Sequence, residues 1–253
     1  MAKNQNTVLS VNVNKLATLR NSRGKNNPDV VQSALDLIRL GAQGITVHPR
    51  PDGRHIRFSD VEALKSVIDV ELNVEGYPSE DFLVLVAKVR PAQVTLVPDP
   101  PGVLTSNAGW DVGQTANLLK SVVARLKQIP TRVSVFVDPQ TMNNEDWATL
   151  REINVDRVEL YTERYAEKFA TPEQDQVLRD YKSAAQMARN VGLGVNAGHD
   201  LNLDNLSSLI DEIPWMDEVS IGHALICDAL YLGYPETIRR YLNCLEPSAA
   251  KEK

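Results

Sequence analysis

Histidine and glutamate can move protons near neutral pH, and arginine can hold anions. In this chain these residue types are not scattered. The 253 residues include four histidines. His48 closes the run Gly44-Ile45-Thr46-Val47, and His55 lies in the polar stretch that follows. His199 comes just after Val195-Asn196-Ala197-Gly198, and His223 just after Val219-Ser220-Ile221-Gly222. All four therefore stand at or just beyond the ends of β-branched runs, where random placement would put several on helix faces. Other polar residues join them. Asn12 and Asn14 end the first such run, Asn73 and Glu75 the third, Asp138 the fifth; Glu159 lies in the sixth and Asn196 in the seventh. Acids and imidazoles gathered this way suit general acid–base chemistry. For Asn73 and Asn196, a satisfied polar layer beneath a site is an equal alternative.

Anion-binding groups form two clusters. Arg50, Arg54 and His55 crowd into Pro49–Ile56, and a guanidinium can grip a phosphate with two parallel hydrogen bonds. The second cluster is Asn196-Ala197-Gly198-His199-Asp200 with Ile221-Gly222-His223. Glycine lets backbone N–H groups approach a ligand, and a following helix N-terminus favours negative charge. Asp200 would repel phosphate there unless it points away and caps its own helix. Two anion sites with acid–base groups between them imply one doubly charged substrate or two phosphorylated ones. Lys15 is a minor Schiff-base candidate, with solvent exposure the simpler alternative.

The elements that must position these groups alternate regularly. Eight strands are expected over Val8–Asn14, Gly44–His48, Glu71–Glu75, Gln93–Pro98, Arg132–Asp138, Arg157–Thr162, Gly194–Ala197 and Glu218–Gly222. They are short and rich in β-branched residues. Helical periodicity fills the gaps. Asn27-Pro28-Asp29 offers an N-cap, a proline at the first helical position and an early acid before Val30, Ala34, Leu37 and Ile38, with Gly41 as the stop. Thr171-Pro172-Glu173-Gln174 resembles a capping box before a helix that Gly192 ends. Asp200 could cap a helix over Leu203–Ile213, and Pro235 opens a last helix ending near Leu245. Strand–helix alternation repeated eight times in ~250 residues predicts an α/β fold, a TIM (β/α)₈ barrel with extra helices, as a single domain over 1–253. The rival, a doubly wound open sheet, would carry a glycine-rich turn after its first strand; here that turn reads Asn14-Lys15-Leu16-Ala17. In a barrel, the strand ends and the loops after them form the active face. Leu16–Lys25, with Arg20 and Arg23, and the Pro/Gly-rich Pro98–Trp110 exceed a minimal barrel and mark functional or mobile loops.

Composition narrows the function classes. Hydrophobic residues make up 43% and charged ones 24%, a globular balance. A net charge of -6 argues against a general nucleic-acid surface. Cys227 and Cys244 fit no metal-ligand spacing and read as reduced thiols. Met1–Asn6 has no apolar leader and no run reaches the ~18 residues of a membrane span, so a cytoplasmic protein without membrane partners is expected.

Specific strings then carry a family resemblance. Val11-Asn12-Val13 with Ala17-Thr18-Leu19-Arg20-Asn21, Gly44-Ile45-Thr46-Val47-His48 with Arg50 and Arg54-His55-Ile56, Asn73-Val74-Glu75, Leu96-Val97-Pro98, Thr105, Gly109-Trp110-Asp111, Val195-Asn196-Ala197-Gly198-His199 and Ile221-Gly222-His223-Ala224 together resemble the pyridoxine 5′-phosphate synthase family. The resemblance implies a homo-octamer without metal or organic cofactor. It implies condensation of 3-amino-2-oxopropyl phosphate with 1-deoxy-D-xylulose 5-phosphate, giving pyridoxine 5′-phosphate, phosphate and water in vitamin B6 biosynthesis. By position, His48, Glu75 and His199 match acid–base residues, and Glu159 a transition-state stabiliser. Asn12, Arg20, Gly222 and His223, with Asp200 through its backbone N–H, match contacts to the amino-ketone phosphate. Arg50, His55 and Thr105 match contacts to the deoxyxylulose phosphate.

The chain also departs from the family pattern. Asn14-Lys15 stands where many members have Asp-His, Asp200 where Gly is common, and Tyr161 and Glu163 where His and Gly are common. Three rivals follow from the residues. A metal-dependent barrel hydrolase would use the histidines with Glu75 and Asp138, but Asn12-Val13-Asn14 is not the HxH pair with which such sites often begin. A phosphosugar isomerase or epimerase needs one phosphate site and leaves Arg50–His55 unexplained. A non-catalytic phospho-ligand-binding relative is motivated by Asn14-Lys15 and opposed by the retained acid–base set.

Overall fold

The computed structural model describes residues 7–99 and 108–246. Its elements, in chain order, are β1 (Val8–Asn12), α1 (Asn14–Asn21), α2 (Val30–Arg39), β2 (Gly44–Val47), α3 (Phe58–Val67), β3 (Glu71–Gly76), α4 (Glu80–Val89), β4 (Gln93–Leu96), α5 (Val112–Leu126), β5 (Arg132–Val137), α6 (Asn144–Glu152), β6 (Arg157–Tyr161), α7 (Glu163–Lys168), α8 (Gln174–Asn190), β7 (Gly194–Gly198), α9 (Leu206–Glu212), β8 (Glu218–Ile221), α10 (His223–Leu232) and α11 (Tyr234–Cys244). Each strand pairs in parallel with the next, and β8 pairs with β1, so the sheet closes into an eight-stranded barrel.

Side chains alternate across each strand, and here the two faces differ in kind. One face carries Val11, Ile45, Val74, Val94, Val135, Val158, Val195 and Val219, all buried against the surrounding helices. The other carries Ser10, Thr46, Asn73, Glu75, Gln93, Thr95, Ser134, Glu159, Asn196 and Glu218, also buried. Bonds across the barrel show that this second set fills the interior. Gln93 Nε2 donates to Glu218 Oε2 at 3.3 Å, and Arg157 Nη1 reaches the same oxygen at 3.3 Å. The apolar core is therefore a ring between strands and helices, and the barrel axis is polar.

The strand ends lie within two residues of expectation. The first strand stops at Asn12, and Asn14 opens α1 instead of ending the strand. α1 accounts for most of the surplus segment at Leu16–Lys25. Helix starts need more correction. Asp29, not Asn27, caps α2, accepting from Val31 N at 2.9 Å and Gln32 N at 3.0 Å, so Pro28 precedes the cap. Thr171–Gln174 forms no capping box: Glu173 occupies the cap position of α8 and its side chain accepts from no helix N–H, taking the Thr171 hydroxyl at 2.7 Å instead, while Thr171 Oγ1 accepts from Glu173 N at 3.3 Å. Asp200 caps nothing. α9 begins at Leu206, and Asn205 stands at its cap position. Gly41 and Gly192 do end α2 and α8; both have positive φ, 116° and 83°, which favours a residue without Cβ.

Candidate active site

Strand register brings the acid–base residues to one end of the barrel. Asn12 ends β1, His48 follows β2, Glu75 is the last residue but one of β3, and His199 follows β7. Asn12 Nδ2 donates to Glu75 Oε2 at 3.5 Å, and His48 Nδ1 lies 3.9 Å from the same oxygen. His48 is fixed at its backbone as well, because its N–H donates to Asn14 Oδ1 at 2.9 Å. The Asn14 side chain thus adds one bond where the β1–β2 ladder runs out. The His199 ring packs 5.1 Å from Phe136 and edge-on to Tyr161 at 5.7 Å, measured between centroids.

Burial tunes these groups. It pushes the Glu75 carboxyl up to about 8, helped by Glu218 and Asp99 and opposed by Arg50. It lifts Glu159 well above the usual carboxylate range, with Glu75 and Glu218 adding to the effect. Burial likewise holds His48 well below its ordinary value, with Arg50, His55, His199 and Arg54 acting in the same direction. His199 is lowered by burial while Asp200, Asp99 and Glu163 oppose the shift. Near neutral pH the site therefore presents uncharged imidazoles beside a Glu75 carboxyl that keeps its proton. Protons can then leave a carboxyl and be taken up by an imidazole without a charged group first being desolvated.

Glu159 lies lower on the axis, 1% exposed, with Oε2 lacking a hydrogen-bond partner among the described residues. Its carboxyl presses against β7, and a Cβ on Gly198 would meet Glu159 Oε1 at 2.3 Å. Asn73 and Asn196 are satisfied polar-layer residues. Asn73 Oδ1 accepts from Thr95 Oγ1 at 3.0 Å, and Asn196 Oδ1 accepts from Arg157 Nη1 at 3.2 Å. Asp138 serves a turn, accepting from Gln140 N at 2.9 Å.

The first anion cluster forms a wall of the mouth. Arg50 is buried beside Asp99, Nη2 to Oδ2 at 3.1 Å. His55 Nδ1 accepts from Ile56 N at 2.9 Å, which leaves Nε2 to carry any proton outward. Burial and the cations Arg50, Arg54 and Lys15 lower the His55 imidazole to about 4. A cavity of about 310 Å³ opens here, lined by His48, Arg50, Arg54, Tyr77 and Asp99 among others. Thr105 falls outside the described residues. At the second cluster, α10 starts directly at His223 behind Gly222, whose Cα faces Asn12; an added Cβ would lie 3.0 Å from Asn12 Cβ. Asn12, Gly222 and His223 therefore adjoin, as an anion site at a helix N-terminus requires. Asp200 is exposed on the turn after β7.

Arg20 is placed differently. It is 3% exposed and gives Nη1 to Asp60 Oδ1 at 2.6 Å and Nη2 to Asp60 Oδ2 at 2.9 Å and to the His55 carbonyl at 3.1 Å. Asn21 Nδ2 binds the same carbonyl at 2.8 Å. These residues grip the loop that carries Arg50 and His55. Sequence reasoning passed over Asp60, Asp99, Glu218 and Arg157. Arg157 and Glu218 each stand first in a strand, and opposite charges at matching barrel depth were a usable signal. The partners of Arg20 and Arg50 are distant in sequence and left none.

Among the described residues, no group of three or more His, Cys, Asp or Glu side chains is arranged to hold a metal ion, and no helix is long and apolar enough to cross a membrane.

A closed parallel barrel with acid–base groups at the C-terminal ends of its strands defines a (β/α)₈-barrel enzyme. Solved structures agree on the fold. A tryptophan synthase α-subunit from Pyrococcus furiosus superposes with a TM-score of 0.61 at 14% identity, covering 97% of this chain and 99% of that one. Phosphoribosylanthranilate isomerase from Thermotoga maritima gives 0.56 at 15% identity, covering 98% and 100%. The family is narrower: residues 9–247 match "Pyridoxal phosphate biosynthesis protein PdxJ", and the chain belongs to that family. The pyridoxine 5′-phosphate synthase of Parabacteroides distasonis is 54% identical over 94% of this chain and 99% of its own length, and that of Porphyromonas gingivalis 54% over 93% and 97%.

Proposed function

We propose that this chain is a pyridoxine 5′-phosphate synthase, condensing 3-amino-2-oxopropyl phosphate with 1-deoxy-D-xylulose 5-phosphate to give pyridoxine 5′-phosphate, phosphate and water. The observation that carries the reading is Glu75, raised to about 8 and 3.9 Å from the His48 imidazole at the barrel mouth, in a chain 54% identical to synthases along nearly its whole length. Addition of the amine to a ketone, loss of water and ring closure each need a proton moved between fixed points. Glu75 and His48 take and return protons, His199 takes up a proton in the course of the reaction and passes it to a departing oxygen, and Glu159 supports the transition state from below.

Arg50 and His55, with Thr105, hold the deoxyxylulose phosphate; Asn12, Gly222 and His223, with the backbone N–H of Asp200, hold the amino-ketone phosphate. Two anchored phosphates make ring closure effectively intramolecular. Arg20 supports the first of these sites through its grip on the His55 loop, since its guanidinium is already paired with Asp60. Exposed Arg23, three residues further on, is a cation of that segment open to a substrate. The reaction requires no metal or organic cofactor. The protein works as a single barrel domain, assembled as a homo-octamer in the cytoplasm.

Purified protein incubated with both substrates is expected to release pyridoxine 5′-phosphate and inorganic phosphate in equal amounts, only when both are present. Folded protein that binds either phosphate and forms no product would overturn the reading. Sedimentation velocity tests the octamer.

A further inference from the structure

The end of β7 has an uncommon backbone. His199 and Asp200 both adopt left-handed φ, 69° and 44°, and neither is glycine. His and Asp enter that region more readily than most L residues, yet it is uncommon even for them, and two in succession call for surroundings that hold them there. Here three consecutive carbonyls are each caught by a donor. Thr162, fully buried at the end of β6, donates its hydroxyl to the Gly198 carbonyl and to the His199 carbonyl, the latter at 2.5 Å. Leu201 N also donates to the His199 carbonyl at 2.5 Å. Asn205 Nδ2 donates to the Asp200 carbonyl at 3.1 Å. Asn205 is held in turn, its own carbonyl accepting from Tyr165 Oη at 2.6 Å and its Oδ1 from Asn202 N at 2.9 Å. The Glu159 carboxyl packs so close to Gly198 that it leaves no room for a Cβ there.

We propose that Thr162 is a positioning residue for His199: its hydroxyl locks the Gly198–His199 carbonyls so that the left-handed turn aims the imidazole between Phe136 and Tyr161 into the barrel mouth. The inference rests on the reading of His199 as the proton donor. Thr162 touches no substrate; it acts through the backbone of the residue that does. The hydroxyl matters and the methyl does not, because only the hydroxyl can donate to the buried Gly198 carbonyl and tie it to the His199 carbonyl. With Thr162→Val the carbonyls lose that donor, and the turn relaxes toward a conformation that turns the ring out of the mouth.

The test compares Thr162→Val with Thr162→Ser in the full chain, reading kcat and KM for each substrate and the His199 imidazole by NMR of protein labelled at histidine. Thr162→Val is expected to lower kcat about tenfold or more with both KM values within twofold, and to shift or broaden the His199 signal. Thr162→Ser should restore kcat to within about threefold of wild type and return the signal to its place. Asn205→Ala, a separate cut in the same clamp, is read in the same way if Thr162→Val does not fold. Unchanged kcat and an unmoved His199 signal in a folded variant would overturn the proposal, as would failure of serine to rescue. The NMR readout needs no turnover. An inactive wild type would therefore count against the proposed reaction, while the clamp would still stand or fall on the imidazole signal.

Discussion

Glu75 and His48 lie 3.9 Å apart, and burial moves their proton affinities in opposite senses, the acid upward and the imidazole downward. Each shift favours the uncharged form. The pair therefore rests as a neutral donor beside a neutral acceptor, and a proton passed between them creates an ion pair only while a substrate is there to use it. An amide in place of the carboxyl keeps the shape and the contact from Asn12 but cannot trade a proton. Glu75→Gln is expected to lower kcat by at least ~10²-fold, within the usual range for losing a general acid–base group, while circular dichroism shows an intact fold. Normal turnover in that variant would remove Glu75 from the mechanism.

At the scale of elements, the barrel holds its anion loop by a helix added after β1. Arg20 and Asn21, on the last turn of α1, reach the 50–57 loop and Asp60 of α3. Breaking a buried pair from one side leaves the other charge uncompensated, at a cost of about 3–5 kcal/mol. Arg20→Met is therefore expected to destabilise the protein by about 3 kcal/mol in urea titration. Arg54→Met, which breaks the more exposed pair with Asp52, should leave stability close to wild type, because solvent screens that pair. A folded Arg20→Met of wild-type stability that lost only phosphate affinity would instead make Arg20 a direct ligand.

The same elements show what the sequence disclosed. Eight β-branched runs and their spacing placed every strand, because strand identity is a local property. The strand-end histidines and Glu75 followed from the barrel rule. Helix starts at Asp29 and Glu173 were misread because Asn, Thr and Pro nearby offer equally plausible local caps, and tertiary contacts chose among them. The pairing of Arg20 with Asp60 was not legible because the two lie forty residues apart, a distance across which a motif carries no information.

At the scale of the whole molecule, the polar axis makes stability depend on pH. Glu75, Glu159 and Glu218 are buried along it, and each is raised by that burial, with Arg157 pairing to Glu218 at 3.3 Å. Unfolded, these carboxyls titrate near 4.5; folded, Glu75 holds its proton to about 8. Between those values the folded state binds more protons than the unfolded one. Its stability is therefore full below the unfolded value and is lost as pH rises toward 8, by up to about 1.4 kcal/mol per pH unit for each such group. His48 and His199 work the other way, since their folded values lie below 6.5 and their contribution is lost as pH falls beneath it. The two effects oppose each other until the unfolded imidazoles have lost their protons, and as pH rises beyond 6.5 the carboxyl effect comes to dominate. The melting temperature is expected to fall from pH 6.5 to 8, and Glu75→Gln, which has no proton to lose, should flatten that slope and melt above wild type at pH 8. Calorimetry across that range decides it: a wild-type Tm that is level or rising from 6.5 to 8 would mean that the barrel axis is hydrated enough to ionise Glu75 at no cost.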